Sequence, residues 1–210
     1  MSCRVLIVDD QIVPRQLFEN IIAASDRYEV AAAIDTAMVA DVYCARGGID
    51  LVLMDVVMND GSNGLDAAER IKASYPEIRV IIVTSQPDAM FLKRARKIGV
   101  DSFWYKEVQE QPILELMDRT MAGESVYPDS PPVTSLGMAK STELTDRELE
   151  VLRLLAEGLT DREIAERLHL GVTTVRYHVN NLIGKTGYSS RTELAVNAVR
   201  SGITTPGISG

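Results

Sequence analysis

Residues 5–10 have the sequence VLIVDD, and residues 51–55 have the sequence LVLMD. Each stretch is a short, continuously apolar run that ends in aspartate. Such runs are typical of strands that are covered on both faces of a parallel sheet. Further runs of this kind alternate with segments of helical periodicity through residue 121. We therefore predict five β–α units that fold as an α/β domain with a doubly wound, five-stranded parallel sheet.

The same pattern predicts where each element of this domain lies. The predicted strands are residues 4–8, 30–33, 51–54, 80–84 and 102–105, and the predicted helices are residues 12–24, 36–46, 65–74, 88–98 and 111–121. Pro14 falls in the first turn of its helix, where a missing N–H group costs little. Gly99 follows the fourth helix in a C-cap position.

The chain changes character after residue 121. Residues 122–142 contain three prolines and two glycines without sustained periodicity, which predicts an interdomain linker. From residue 143 to residue 203 the pattern is that of an all-α domain with four helices, and residues 204–210 are expected to be a flexible tail. The pentapeptide LTDRE occurs at 144–148 and at 159–163. In each copy Thr can cap a helix and Glu can complete a capping box, so both copies predict helix starts.

Bulk composition narrows the class of protein. The 210 residues suit two small domains, and no apolar run approaches the length of a membrane span. No signal-peptide pattern precedes the first strand, and Cys3 and Cys44 lack metal-binding spacing, so we expect two reduced thiols in a cytosolic protein. The net charge of −8 belongs mainly to residues 1–142, which carry 14 Lys and Arg against 21 Asp and Glu; residues 143–210 carry 8 against 9. Charge therefore does not exclude DNA binding by the second part.

Polar groups follow the predicted strands at one edge of the sheet. Asp9 and Asp10 follow the first strand, and Asp55 follows the third. If these strands are neighbours, three carboxylates converge, and they repel one another unless a cation such as Mg²⁺ lies between them. Thr84 ends the fourth strand and Lys106 follows the fifth, where each can contact a phosphoryl group. Each residue alone is explained by turn capping or by solvation, but the five together indicate a phosphoryl-transfer site at which Asp55 is the nucleophile.

Residues 1–121 resemble the receiver domain of response regulators, and the whole chain resembles the NarL/FixJ family. The matching stretches are VLIVDD, LVLMD, VIIVTS and GVDSFWYK. The resemblance implies that Asp55 is the phosphoacceptor and that Mg²⁺, or another divalent cation such as Mn²⁺, is bound. Further implied roles are direct metal ligation by Asp10, metal contact through water by Asp9, metal contact by the backbone carbonyl of Val57, phosphate binding by Thr84 and Lys106, and an aromatic switch at Phe103. Ordinary core packing explains Phe103 equally well.

The loop after Asp55 departs from the family pattern. Asn59 stands where the family usually has proline, the loop Met58–Gly64 is one residue longer than usual, and Ser85 replaces a small Ala. We expect these differences to affect the rate and lifetime of phosphorylation. Val57 also argues against a haloacid-dehalogenase phosphatase, because those enzymes have a second Asp at this position. A regulator that acts through protein contacts alone, without phosphate or DNA, stays open as a second alternative.

Residues 160–185 have the pattern of a helix-turn-helix, with a turn at His169-Leu170-Gly171. Val172, Val175, Val179 and Leu182 share one face of the second helix. The opposite side is expected to enter a DNA major groove, and the candidate base contacts are Thr173, Arg176, Tyr177 and Asn180. The candidate phosphate contacts are Thr174, Lys185, Ser190 and Arg191. A four-helix domain whose polar stripe is merely solvated is the alternative.

Residues 144–199 resemble a LuxR-type domain through LT-x-RE-x-EVL, TV-x-x-H and SRTE. Gly171 replaces the hydroxyl residue that usually caps the second helix, which predicts a weaker cap. The final helix, about 190–201, is expected to dimerise the domain on an inverted repeat through Leu194, Ala198 and Val199. The sequence therefore predicts a cytosolic transcription factor that a sensor histidine kinase phosphorylates, and a switch rather than a turnover enzyme.

Overall fold

The computed structural model of the chain describes residues 2–106 and 112–207. The contacts divide them into two compact units. The first comprises residues 2–85, 90–106 and 112–130, and the second comprises residues 86–89 and 131–207. Gln111, where the fifth helix was predicted to begin, and residues 208–210 of the predicted tail lie outside the described residues.

The first unit is a parallel five-stranded sheet with the strand order β2-β1-β3-β4-β5. Its strands are β1 (Cys3–Val8), β2 (Tyr28–Ile34), β3 (Leu51–Met54), β4 (Arg79–Thr84) and β5 (Ser102–Tyr105). Its helices are α1 (Ile12–Ala23), α2 (Ala40–Ala45), α3 (Gly64–Ser74), α4 (Ala89–Ile98) and α5 (Ile113–Met121). The predicted fold class is confirmed, and the order reverses between β1 and β3, which is where such sheets bind ligands.

The sheet is buried on both faces, as its continuous apolar runs predict. Side chains alternate along each strand, so neighbouring residues point to opposite faces. Val5 and Ile7 pack with Phe18 and Ile22 of α1 and with α5 in one cluster. Leu6 is fully buried as well and points to the other face.

Two local predictions in the first unit differ from the structure. The second helix begins at Ala40 rather than at residue 36. The Thr36 hydroxyl donates to Asp60 and the Ala37 N–H group donates to Ser62 Oγ, so these residues bind a neighbouring loop instead of starting a helix. Residues after α5 also continue the sheet, because Val126 pairs in parallel with Ser102 at the edge of β5.

The second unit contains four helices. They are α6 (Asp146–Ala156), α7 (Asp161–Leu168), α8 (Val172–Thr186) and α9 (Arg191–Arg200). Both capping boxes of the LTDRE repeat are present: Thr145 with Glu148, and Thr160 with Glu163. Gly171 precedes α8 without a side-chain cap, as predicted.

The predicted linker is partly folded into this unit. A small antiparallel hairpin of β6 (Ser135–Leu136) and β7 (Ala139–Lys140) is followed by a 3₁₀ helix at Ser141–Glu143. Leu136 and Ala139 are buried in the same core as Val151, Ile164 and Leu182. Their burial fixes residues 135–143, whereas the sequence pattern of this stretch predicted none of this structure. Within the described residues, no helix has the length and apolarity that crossing a membrane requires.

Candidate functional site

Backbone pairing brings the predicted acidic residues to one edge of the sheet. The Asp55 N–H group donates to the Val8 carbonyl at 2.8 Å, which places Asp55 beside the end of β1. The Lys106 N–H group donates to the Thr84 carbonyl at 3.0 Å. The ends of β1, β3, β4 and β5 are therefore held side by side by the ordinary ladder of a parallel sheet.

Three carboxylates and one ammonium group meet at this edge. Oxygen atoms of Asp9, Asp10 and Asp55 lie within 4.8 Å of one another. Lys106 Nζ lies 2.7 Å from Asp9 Oδ2 and 3.1 Å from Asp55 Oδ2. Asp9 and Asp55 are almost completely buried, at 1% and 4% exposure. Among the residues that the structure describes, Lys106 thus pairs with two of the three clustered carboxylates, and the cluster of Asp9, Asp10, Asp55 and Lys106 has more acidic than basic groups.

Asp9 and Asp10 differ in how many of their carboxylate oxygens already accept hydrogen bonds. Asp9 Oδ1 accepts from the Gln11 N–H group at 3.0 Å, so Lys106 and the backbone together occupy both of its oxygens. Asp10 Oδ2 accepts from the Asn59 N–H group. Asp10 Oδ1 is buried and has no hydrogen-bond partner among residues 2–106 and 112–207. A buried oxygen without a donor is unfavourable unless something binds it, and carboxylate oxygens are ligands that Mg²⁺ prefers. The donor set fits a small divalent cation.

Burial raises the pKa of the Asp55 carboxyl from 3.8 to about 6. The Lys106 ammonium group acts in the opposite direction, and repulsion from Asp9 adds to the effect of burial. The carboxyl is therefore mainly ionised at neutral pH, which a nucleophile requires, but it is less stable in that form than an exposed carboxylate.

The other predicted site residues lie around this pocket. Thr84 is fully buried at the end of β4. Val57 pairs with Asn63 across the loop that follows β3. Phe103 is fully buried, with its ring centroid 5.0 Å from that of Tyr105 and 6.5 Å from that of Tyr127. Phe103 thus lies in an aromatic cluster. The candidate groups for phosphate binding are Thr84 and Lys106.

The unusual loop after Asp55 is tied to its surroundings. Asp60 accepts hydrogen bonds from the Thr36 hydroxyl at 2.6 Å and from the Ser62 N–H group at 2.8 Å. Asn63 caps α3 by accepting from the Leu65 N–H group. At Gly64, a Cβ atom would lie 1.7 Å from the Asp55 carbonyl oxygen, so only glycine fits there. The longer loop is thus packed against the residues before α2.

The sequence did not identify two groups that hold the acidic pocket. The Asn59 N–H group binds Asp10, and its availability follows from the residue type, because proline has no N–H group. Arg15 donates to the Asp9 carbonyl at 2.7 Å. In the sequence Asn59 stands out only as a departure from the family pattern, and the spacing of Arg15 does not indicate its contact.

A second candidate surface lies on α8 and the start of α9. Val175, Val179 and Leu182 are buried, as the helical spacing predicts. The exposed candidates for DNA contact are Thr173, Thr174, Arg176, Tyr177, Asn180 and Lys185, and Arg191 is partly exposed. These residues form a polar surface of the kind that a helix-turn-helix presents to DNA.

The three cations of this surface are paired with acids of the same unit. Arg176 and Arg191 both contact Asp161, at 3.2 Å and 2.9 Å. Lys185 contacts the buried Glu148 at 2.7 Å. Each cation of the candidate DNA surface therefore lies beside a carboxylate of its own unit.

The predicted dimer seam on the last helix is wrong in two of its three residues. Leu194 and Ala198 are completely buried in the core of the second unit, because α9 packs against α6. Val199 is exposed at 40%, and Val196 at 44%. Any apolar contact of α9 with a partner would therefore use Val196 and Val199.

Comparison with known proteins identifies both units. Residues 5–118 match the response regulator receiver domain, and residues 142–198 match the luxR family of bacterial regulatory proteins. The response regulator protein VraR of Staphylococcus aureus (strain NCTC 8325 / PS 47) is 32% identical over 203 residues, which cover 94% of this chain and 97% of VraR.

Two solved structures share the fold. RcsB of Salmonella enterica serovar Typhimurium, solved bound to a promoter in the presence of the phosphomimetic BeF3−, has a TM-score of 0.61 at 18% identity, covering 93% of this chain and 98% of that one. The response regulator ChrA of a heme-sensing two-component system has a TM-score of 0.52 at 24% identity, covering 95% and 97%.

Proposed function

The chain belongs to the NarL/FixJ family of response regulators, which join a receiver domain to a LuxR-type DNA-binding domain, and on this premise we propose that phosphorylation of Asp55 controls its binding to DNA. The observation that carries the proposal is the pocket itself. Asp55 lies beside Asp9, Asp10 and Lys106 at the edge of the sheet where strand order reverses.

In this proposal Asp55 is the nucleophile. One of its carboxylate oxygens forms a bond to phosphorus while the bond from phosphorus to the donor's leaving atom breaks, and the product is an aspartyl phosphate. Lys106, at 3.1 Å from Asp55, offsets the charge of the phosphoryl oxygens. The Thr84 hydroxyl donates to one of those oxygens, and Phe103 transmits the change by repacking against its aromatic neighbours.

Asp10, Asp55 and the Val57 carbonyl would hold Mg²⁺ or Mn²⁺ directly, and Asp9, whose two oxygens already accept hydrogen bonds, would contact the ion through water. Such a cation supplies positive charge that offsets repulsion between the acids and the incoming phosphoryl group. The buried oxygen of Asp10 that lacks a donor among the described residues supports this assignment. We propose a sensor histidine kinase as the phosphoryl donor, and a switch with slow autodephosphorylation rather than a turnover enzyme.

The second unit would bind promoter DNA through Thr173, Thr174, Arg176, Tyr177, Asn180, Lys185 and Arg191. The promoter complex described for RcsB supports DNA as the partner. We propose an inverted repeat bound by a homodimer in the cytoplasm, where the exposed Val196 and Val199 of α9 are available for the contact between copies. The predicted receiver at 1–121 is extended to about 130 in this proposal, because Val126 continues its sheet. The linker is reduced to about 131–134 by the folded hairpin, and the DNA-binding domain extends to about 203.

The test compares the full chain with Asp55→Asn. Each protein is incubated with Mg²⁺ and acetyl phosphate, a small acyl phosphate, and its intact mass and DNA binding are measured. We expect the unchanged chain to gain one phosphoryl group and to alter its DNA affinity, while the variant does neither. If the unchanged chain gains no phosphoryl group, or if the variant gains one as readily, the assignment of Asp55 is refuted.

A further inference from the structure

Arg176 and Arg191 share a single carboxylate. Asp161 Oδ2 lies 3.2 Å from Arg176 Nε, and Asp161 Oδ1 lies 2.9 Å from Arg191 Nη1. Both oxygens of the carboxylate are thus occupied by the two guanidinium groups that were expected to contact DNA. Each of these arginines is partly or largely exposed, whereas the Asp161 side chain is only 21% exposed.

Three helices bring these side chains together. Asp161 is the first residue of α7, Arg176 lies in α8, and Arg191 is the first residue of α9. A second guanidinium nitrogen of Arg191 donates to the Leu159 carbonyl at 3.0 Å, which fixes this side chain against the segment that precedes α7. The shared carboxylate therefore lies where the candidate DNA surface of α8 meets the start of α9.

We propose that Asp161 competes with DNA for Arg176, the candidate base contact, and for Arg191, the candidate phosphate contact. The competition for Arg191 lowers the affinity of this protein for DNA of any sequence. The inference rests on the proposed binding of DNA by α8. Carboxylates and phosphates accept the same paired N–H groups of a guanidinium, so an arginine held by one is less available to the other. The negative charge of Asp161 also repels any phosphate that approaches the two arginines.

The ion pair of Lys185 differs from that of the two arginines. Its partner Glu148 is buried and belongs to the capping box that starts α6, so its carboxylate is needed for the fold. Asp161 takes no part in the corresponding box of α7, which Thr160 and Glu163 form. Neutralising Asp161 therefore changes the charge at the surface while the helix start is kept.

The chain offers a matched control for this change. Asp146 holds the same place in the first copy of LTDRE, and it is likewise the first residue of a helix with a capping box. Asp146→Asn alters net charge and helix-start charge as Asp161→Asn does, and it leaves the pairs of Asp161 with Arg176 and Arg191 in place. Asp161→Ser removes the same charge with a different side chain and serves as a second variant.

The experiment measures binding of the full-length proteins to a fluorescein-labelled duplex of mixed sequence by fluorescence anisotropy at several salt concentrations. One additional phosphate contact steepens the dependence of log K on log salt by about 0.9, which corresponds to about eightfold tighter binding at about 0.1 M salt. We expect this gain for Asp161→Asn and for Asp161→Ser, and binding like that of the unchanged chain for Asp146→Asn. Circular dichroism melting checks that each variant is folded.

Each other outcome contradicts the proposal in a distinct way. Unchanged or weaker binding by both Asp161 variants, while the unchanged chain binds DNA, would mean that Asp161 does not compete or that it positions the arginines for DNA. An equal gain in DNA affinity for Asp146→Asn would mean that the change in net charge, and not the release of the two arginines, causes the tighter binding. If the unchanged chain and all variants fail to bind the duplex even at low salt, the proposed DNA binding is itself refuted.

Discussion

Replacing Asp55 by Asn should stabilise the first unit, because the native fold holds an ionised carboxylate where it is poorly solvated. Burial raises the pKa of Asp55 from 3.8 to about 6, and this difference corresponds to about 3 kcal/mol between the protonated and ionised forms. Asn has nearly the same shape as the protonated acid and carries no charge. We therefore expect Asp55→Asn to be more stable than the unchanged chain by about 3 kcal/mol at pH 7.5 without divalent cations.

The stability difference between Asp55→Asn and the unchanged chain should depend on pH. A carboxyl whose pKa is raised in the folded state binds its proton more tightly there than in the unfolded chain. Its contribution to the stability of the unchanged chain therefore falls as pH rises from about 4 to about 6 and stays low above that. The advantage of Asp55→Asn should accordingly be near zero below about pH 4 and complete above about pH 6.

The single tryptophan of the chain makes the assay specific for the first unit. Trp104 lies in β5, with its ring centroid 6.3 Å from that of Phe18 in α1, so its fluorescence reports unfolding of that unit. Urea unfolding is followed with EDTA present, and Asp26→Asn removes the same charge from an exposed position as a control. Adding Mg²⁺ should stabilise the unchanged chain, by about 2.7 kcal/mol at a hundredfold excess over Kd, and so narrow the gap.

Two results would refute this reasoning. One is an Asp55→Asn variant that is no more stable than the unchanged chain at pH 7.5. The other is a gap between the two proteins that does not change between pH 4 and pH 7.5, since a cause other than ionisation of Asp55 would then be required.

Three further substitutions test the local structure. Gly64→Ala should destabilise the first unit by about 3 kcal/mol or more in the Trp104 assay, because the new Cβ atom would overlap the Asp55 carbonyl oxygen; a midpoint like that of the unchanged chain would contradict the packing. His169→Gly should raise the stability of the second unit by about 0.5–1 kcal/mol in circular dichroism melting, since His169 has a φ of 53° and glycine adopts this conformation without strain; a loss of stability would contradict this. Thr160→Ala should destabilise the same unit by about 1 kcal/mol, and Thr160→Ser should restore most of it if the hydroxyl cap is the cause.

The acidic pocket was predictable because it depends on the ends of strands. Apolar runs fix where β1 and β3 end, and parallel pairing then brings Asp9, Asp10 and Asp55 together whatever the rest of the chain does. The position of Lys106 follows from the same rule applied to β5. Contacts made by loops do not follow from such periodicity, so the bond from the Asn59 N–H group to Asp10 could be found only in three dimensions.

Helix faces were predictable only where the partner of the helix was clear from the pattern. The spacing of Val175, Val179 and Leu182 correctly indicated the buried face of α8. On α9 the same kind of argument assigned Leu194 and Ala198 to a partner chain, although both are buried in their own domain. An apolar stripe on a helix predicts that this face is buried, but it does not predict which surface buries it. Burial within a chain and burial between chains have the same hydrophobic cause.

The two copies of LTDRE show which features can be predicted from the sequence and which cannot. Both begin a helix with the same capping box, as their identical residues require. Glu148 is nevertheless buried and paired with Lys185, whereas its counterpart Glu163 is exposed. The box is closed by hydrogen bonds within five residues, so it is fixed locally. The surroundings of each carboxylate are set by helices that are distant in sequence, and these surroundings decide whether an acid supports the core or, as we propose for Asp161, opposes the binding of DNA.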